Sequence, residues 1–200
     1  LSDSIDFASG GIPPMFILWE RAKGTRNEVR GLASMASIPQ MMFTRTPGVK
    51  TVADFTPRDR IAVPAIGVGL QVMLVQMAAA KHWGAEHWNR LAPITIQVPH
   101  AEAFAALGGA VQTEITAHMS GPPQQWAQMK DAKLTRVFES SEIVGGPATA
   151  TLLWATCALR ACDASSAPAM RSRTSAVLKS SNLSLTNPVF GRCTTSRGAM

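Results

Sequence analysis

Cysteine is missing from the first 156 residues of this 200-residue chain; Cys157, Cys162 and Cys193 all lie beyond them. Neither a disulfide framework nor a thiolate zinc site follows from that spacing, and a cysteine-free body suits an exported protein. No apolar run approaches the roughly 18 residues of a membrane span. Leu70 to Ala80 comes closest, and it has the length of a buried helix. The sequence also lacks a nucleophile elbow, a phosphate-binding glycine loop with its lysine, and a paired-carboxylate signature. No catalytic residue is therefore named and enzyme chemistry is not expected. His82 and His87 are five apart and miss the i, i+4 register that sets two imidazoles on one helical face, while His100 and His118 stand alone. No metal site and no cofactor are expected.

Positive charge is scarce where it would matter for nucleic acid. The net charge is +6, but residues 1–157 hold 13 Lys and Arg against 12 Asp and Glu. The remainder, from Arg160, Arg171, Arg173, Lys179, Arg192 and Arg197 against Asp163, belongs to the tail. Phosphate binding needs clustered cations, so nucleic acid is not an expected partner.

What is present is an alternation of short strands and helices, which argues for an α/β protein with mostly parallel sheets. Strands are expected near Ser4–Ala8, Val29–Ala33, Arg60–Val63, Ile94–Val98, Glu114–Ala117, Leu134–Phe138 and Ala150–Ala155. Helices are expected over Pro13–Ala22, Val52–Phe55, Leu70–His82, Glu86–Arg90, Ala101–Leu107 and Pro122–Lys130. The most informative stretch runs from Gly48 to Gly69. Thr51 can cap a helical turn in which Val52 and Phe55 share a face. Arg60-Ile-Ala-Val is a strand that Pro64 must end, because proline has no N–H for a ladder. Gly67 and Gly69 then turn the chain into the helix at Leu70, whose first N–H groups face the crevice at the strand's carboxyl end.

This arrangement resembles the start of the second lobe of periplasmic substrate-binding proteins of ABC transporters, in the branch that binds nitrate, taurine, sulfonates or thiamine-precursor pyrimidines. The shared residues are Gly48, Val49, Lys50, Val52, Asp54, Phe55, Ile61, Ala62, Val63 and Pro64, while Pro57-Arg58-Asp59 replaces the usual Gly-Lys turn. Likeness continues in order through Ile5–Pro14, Val29–Gln40, His100–Gln112, Ser120–Trp126 and Gly145–Thr149, covering Ile5 to about Thr156. The resemblance implies a two-lobed fold whose first lobe is incomplete here. Residues 1–47 would be part of the first lobe, 48–144 the second lobe, and 145–157 the strand returning to the first. Residues 158–200 form an atypical tail that reads either as a disordered extension or as a frame-shifted segment. The sequence holds no recognisable signal segment.

The same resemblance implies where a ligand would be held. In the first lobe the candidates are Ser9, Gly10, Gly11 and Ile12, with Ser37 and Pro39, all at expected strand ends. In the second lobe they are Ile66, Gly67 and Gly69, with Met119, Ser120 and Trp126. Sulfonate and nitrate binders usually carry hydroxyls in the first of these second-lobe loops, whereas this chain has Ile66 and Val68. The implied function is the solute-binding component of an ABC import system, holding a small polar or anionic solute and meeting a permease. The resemblance further implies a monomer, periplasmic or exported and lipid-anchored. An enzyme of thiamine-pyrimidine synthesis on the same scaffold, or a ligand-sensing module, is the alternative.

Overall fold

The structure is a computed structural model and describes residues 7–25, 27–109 and 113–156. The tail after Thr156, with all three cysteines, lies outside the described residues, as do Ser4–Asp6 of the first expected strand and 110–112 of the segment that follows His100.

Two sheets organise residues 7–156. The smaller has the order β1-β8-β2, with β8 (Thr151–Thr156) antiparallel to both β1 (Phe7–Gly11) and β2 (Val29–Ala36). The larger has the order β5-β4-β6-β3-β7. In it β4 (Ile61–Val63) runs parallel to β5 (Thr95–Gln97) and β6 (Ala117–Ser120), whereas β3 (Met41–Thr44) is antiparallel to β6 and to β7 (Thr135–Glu139). The α/β class holds, but the sheets are not mostly parallel: the smaller is antiparallel throughout, because β8 runs against both its neighbours, and the larger is mixed. In the larger sheet the reason is β3, which enters from the edge where β6 ends and so runs against its neighbours.

β3 also moves the point at which the chain changes sheets. The change falls between Ala36 and Met41 rather than at residue 47, so Met41–Thr44 belong to the five-stranded sheet. The return runs from Gly145 to Ala150. The two connections lie side by side: Ser37 Oγ donates to Ala148 O at 2.9 Å, and Ala150 N donates to Ala36 O at 2.8 Å.

Strand alternation gives the larger sheet two apolar faces. Met42, Ile61, Val63, Ala117, Met119 and Phe138 face α2 (Leu70–Trp83), which buries Val72, Leu74, Val75, Ala78 and Ala79 at helical spacing. Met41, Phe43 and Ala62 lie on the other face with Ala103, Ala106 and Leu107 of α3 (His100–Leu107). His118, between Ala117 and Met119 on β6, falls on this second face. The expected helix at Glu86–Arg90 is a 3-10 turn over Ala85–His87, and α4 (Gln124–Gln128) is shorter than expected. Helix α5 (Ser140–Val144) was not expected from sequence.

The loop before β4 shows why Pro57-Arg58-Asp59 can replace a Gly-Lys turn. Asp59 is nearly wholly buried and its carboxylate accepts from Thr46 Oγ1 (2.9 Å), Thr56 N (2.8 Å) and Thr56 Oγ1 (2.9 Å). Burial alone would raise its pKa, but these donors outweigh burial and hold it below the ordinary value. The side chain thus pins the end of β3 to the start of β4. Asp59→Asn keeps the shape and inverts one acceptor, so it should lower the unfolding free energy by about 1–3 kcal/mol, read by urea denaturation near neutral pH. An unchanged midpoint would show that the threonines re-pair without the charge.

Thr51 and Asp54 form a reciprocal capping box, the Thr51 side chain facing the Asp54 N–H and the Asp54 side chain the Thr51 N–H. The Asp54 carboxylate accepts from Lys50 N (3.0 Å), Thr51 N (2.8 Å) and Thr51 Oγ1 (3.0 Å) at the start of the 3-10 turn Val52–Asp54. Those backbone donors depress the Asp54 pKa.

Candidate functional site

The carboxyl ends of β4, β5, β6 and β7 and the amino end of β3 share one edge of the larger sheet. The loop after β4 turns on Gly69, where an added Cβ would stand 2.6 Å from Ala65 O, so only glycine permits that close approach. Gly69 is also the amino cap of α2, with no side-chain cap bond and no acidic residue in the first turn. Leu70, Gln71 and Val72 therefore begin the helix with N–H groups that have no carbonyl partner within it. Such a terminus favours an anion or an acceptor oxygen.

Helix α1 (Ile12–Ala22) starts differently. Pro13 and Pro14 remove two of the early donors, and Gly11 is engaged in strand pairing with Thr151. Of these two helix starts, the one at α2 is much the richer in donors.

A chain of polar side chains crosses the same edge. Gln71 Nε2 donates to Gln40 Oε1 at 3.0 Å and lies 3.5 Å from His100 Nε2. His100 Nδ1 is 2.8 Å from His118 Nε2, and His118 Nδ1 is 3.2 Å from Gln128 Nε2. The series passes from the amino end of α2, over the sheet edge, to α3 and α4. Gln40, His118 and Gln128 are buried, whereas Gln71 and His100 are half-buried and mark its open end. Gly121 fits against it, since a Cβ there would meet Gln40 Oε1 at 2.8 Å.

Burial pushes the His118 pKa down to about 3, the neighbouring His100 adds to this, and the Gln128 hydrogen bond opposes it. Burial also lowers that of His100. Both rings are therefore neutral at pH 7. Among the described residues the ring partners are Gln71, Gln128 and the other imidazole. Near it, the wholly buried Gln125 side chain leaves both Nε2 and Oε1 without a partner, as is Gln128 Oε1.

Reading His100 and His118 as isolated residues is overturned here, because the fold closes the gap between them. Of the residues expected at the site, Gly67 and Gly69 lie in the loop before α2, with Ile66 exposed beside them. Ile66 N approaches Gln97 Oε1 at 3.4 Å. Met119 and Ser120 are on β6 and fully buried, Met119 within the core that faces α2. Trp126 is exposed on α4. In the smaller sheet, Ser9 is exposed on β1, and Gly10 lies under Trp154, whose ring would be 2.7 Å from an added Cβ. Gly11 and Ile12 begin α1. Ser37 and Pro39 belong to the connection between sheets, and the Ser37 hydroxyl is engaged by Ala148 O.

A separate hollow of about 290 Å³ lies between the Thr51 turn, the carboxyl half of α2, β7 and α5. Its walls are Val52, Ala78, Val137, Phe138 and Ile143 with Thr51, Lys81 and His82, and Lys81 Nζ is held by Glu142 O. With that ammonium tied to a wall, the hollow offers fewer converging polar groups than the sheet edge.

No protein-family model matches the chain, and no curated protein matches it. Solved structures do. The periplasmic aliphatic sulphonate binding protein SsuA from Escherichia coli is 17% identical with a TM-score of 0.59, the match covering 90% of this chain and 52% of that one. A putative sulfonate ABC transporter periplasmic sulfonate-binding protein SsuA from Methylobacillus flagellatus KT is 14% identical with a TM-score of 0.61, covering 90% and 49%. A protein from Bordetella bronchiseptica RB50 is 26% identical with a TM-score of 0.56, covering 78% and 49%. The chain thus spans about half the length of each of these structures. The fold of residues 7–156 is that of the periplasmic binding proteins of ABC transport systems, represented here by part of it.

Proposed function

We propose that this chain is the solute-binding component of an ABC import system, taking a small polar or anionic solute at the carboxyl edge of the five-stranded sheet. The observation that carries this reading is the convergence of an uncapped α2 terminus with the half-buried Gln71 and His100. The three-stranded sheet is then part of one lobe, the five-stranded sheet the core of the other, and the ligand lies between them. Ser9, Gly10, Gly11 and Ile12 would form the opposing wall. Ile66 and Val68, exposed beside the terminus, supply apolar surface for the rest of the ligand. The solute-binding proteins with this fold include two described as sulfonate-binding, which makes sulfonates the first class to test. A permease partner, an exported location and a monomeric state complete the proposal.

Thermal unfolding of the full chain against alkanesulfonates, taurine, nitrate, bicarbonate, aromatic acids and pyrimidines tests it. A solute at about a hundred times its Kd stabilises by about 2.7 kcal/mol, a rise of roughly 5–10 °C for a chain this size. No rise with any member of the panel would remove the solute-binding reading.

A further inference from the structure

The hydrogen-bond series fixes more than the position of its members, because each neutral imidazole has one donor and one acceptor nitrogen. Two directions are chemically open, and the Gln128 amide decides between them. With its nitrogen toward His118, one buried carbonyl oxygen and one N–H have no partner; with its oxygen toward His118, two buried N–H groups have none. Orphaned donors are rarer and costlier than an under-used carbonyl, so the nitrogen faces His118. His118 Nδ1 then accepts, His118 Nε2 carries the proton and donates to His100 Nδ1 at 2.8 Å. His100 must in turn carry its own proton on Nε2.

With the Gln71 amide nitrogen turned toward Gln40 and His100, as the structure has it, that proton has no acceptor in the series. Across 3.5 Å it meets Gln71 Nε2, itself a donor, one of whose hydrogens is engaged by Gln40 Oε1 at 3.0 Å. The opposite direction would let His100 Nε2 accept from Gln71, but 3.5 Å is the outer limit of such a bond. Two N–H groups thus converge at the open end of the series, on half-buried residues that a solute can reach.

We propose that His100 is a specificity-determining residue: Gln128, acting through His118, holds its Nε2 as a donor beside Gln71, so that the site takes solutes presenting an acceptor oxygen and rejects ammonium-type heads. This rests on the solute-binding reading above and adds the polarity of the recognised group and the residues that set it. His118 and Gln128 are positioning residues, since both act only through His100. An oxyanion or carbonyl oxygen placed between His100 and Gln71 completes both donors; a cation there meets hydrogens on every side.

The test separates the relay from the ligand. Nitrogen-15 imidazole shifts of the full chain near pH 7.5 should show both rings protonated on Nε2. Gln128→Glu, which offers only an acceptor, should turn both rings to the Nδ1-protonated form while circular dichroism stays unchanged. Methanesulfonate and benzoate, the oxyanion probes, should bind at least tenfold more tightly than methylammonium and tetramethylammonium, and the Gln128→Glu variant should lose that preference. Wild-type rings protonated on Nδ1 would overturn the relay, and equal affinity for the two classes of probe would overturn the selectivity. Should no probe of either class bind, the solute-binding reading falls and the selectivity with it, whereas the ring protonation still decides the relay. Should Gln128→Glu fail to fold, Gln71→Leu serves instead, removing one converging donor and weakening oxyanion binding without altering the ring tautomers.

Discussion

Lowering the pH from about 7.5 to about 5 should reduce the unfolding free energy of the chain by about 2 kcal/mol through His118 alone. Its folded pKa, pushed to about 3, lies below the 6.5 of an unfolded histidine. As pH falls below 6.5 the unfolded chain takes up a proton that the folded chain refuses, so stability is full above that value and is lost progressively down to about 3. His100, also lowered, adds in the same direction. Asp54 and Asp59 are depressed carboxylates, and their contribution is retained until the pH falls through the lower end of the acid range. Urea midpoints at the two pH values isolate the histidines from them. His118→Gln should remove about 2 kcal/mol of the difference and leave only the part due to His100; an undiminished slope in that variant would place the acid sensitivity elsewhere.

Phe43→Ala should cost more still, about 3–5 kcal/mol, since it empties a ring-sized volume from a packed interior. Phe43 is 2% exposed, sits on the strand between β6 and β7, and packs beneath α3 with Met41, Ala62, Ala103, Ala106 and Leu107. Against a typical stability of about 5–15 kcal/mol, that loss removes much of the margin. Phe43→Leu, which keeps most of the volume, should be far milder. Equal urea midpoints for wild type and Phe43→Ala would mean that the face closes over the gap, contrary to the tight packing described.

The strength of the sequence signal followed local chemistry. Pro64 ends β4, Gly69 opens α2, and the apolar spacing from Leu70 runs through Trp83; each announces itself within a few residues. β3 does not, because a four-residue strand buried on both faces carries no polar alternation; Pro39 before it and Pro47-Gly48 after it mark its limits but not its type. Its omission hid the antiparallel strand within the larger sheet and the point near Ser37 where the chain passes from one sheet to the other. At the site, the Gly67–Gly69 loop was legible for the same local reason. The His100–His118 contact was not, since the two residues lie on α3 and β6 and meet only once the helix packs on the sheet. Met119 shows the converse: its neighbours suggested a loop, but alternation on β6 turns it into the core facing α2.

The paired crossings between the sheets limit how the molecule can change shape. Ala36 is bonded to Ala150 and Ser37 to Ala148, so neither span can slide along its companion without breaking those bonds. Any alteration of the angle between the two halves would have to flex both spans at one level, which permits a swing about a single line and resists translation. A substitution that stiffens one span, such as proline at Ala148, would be felt in both.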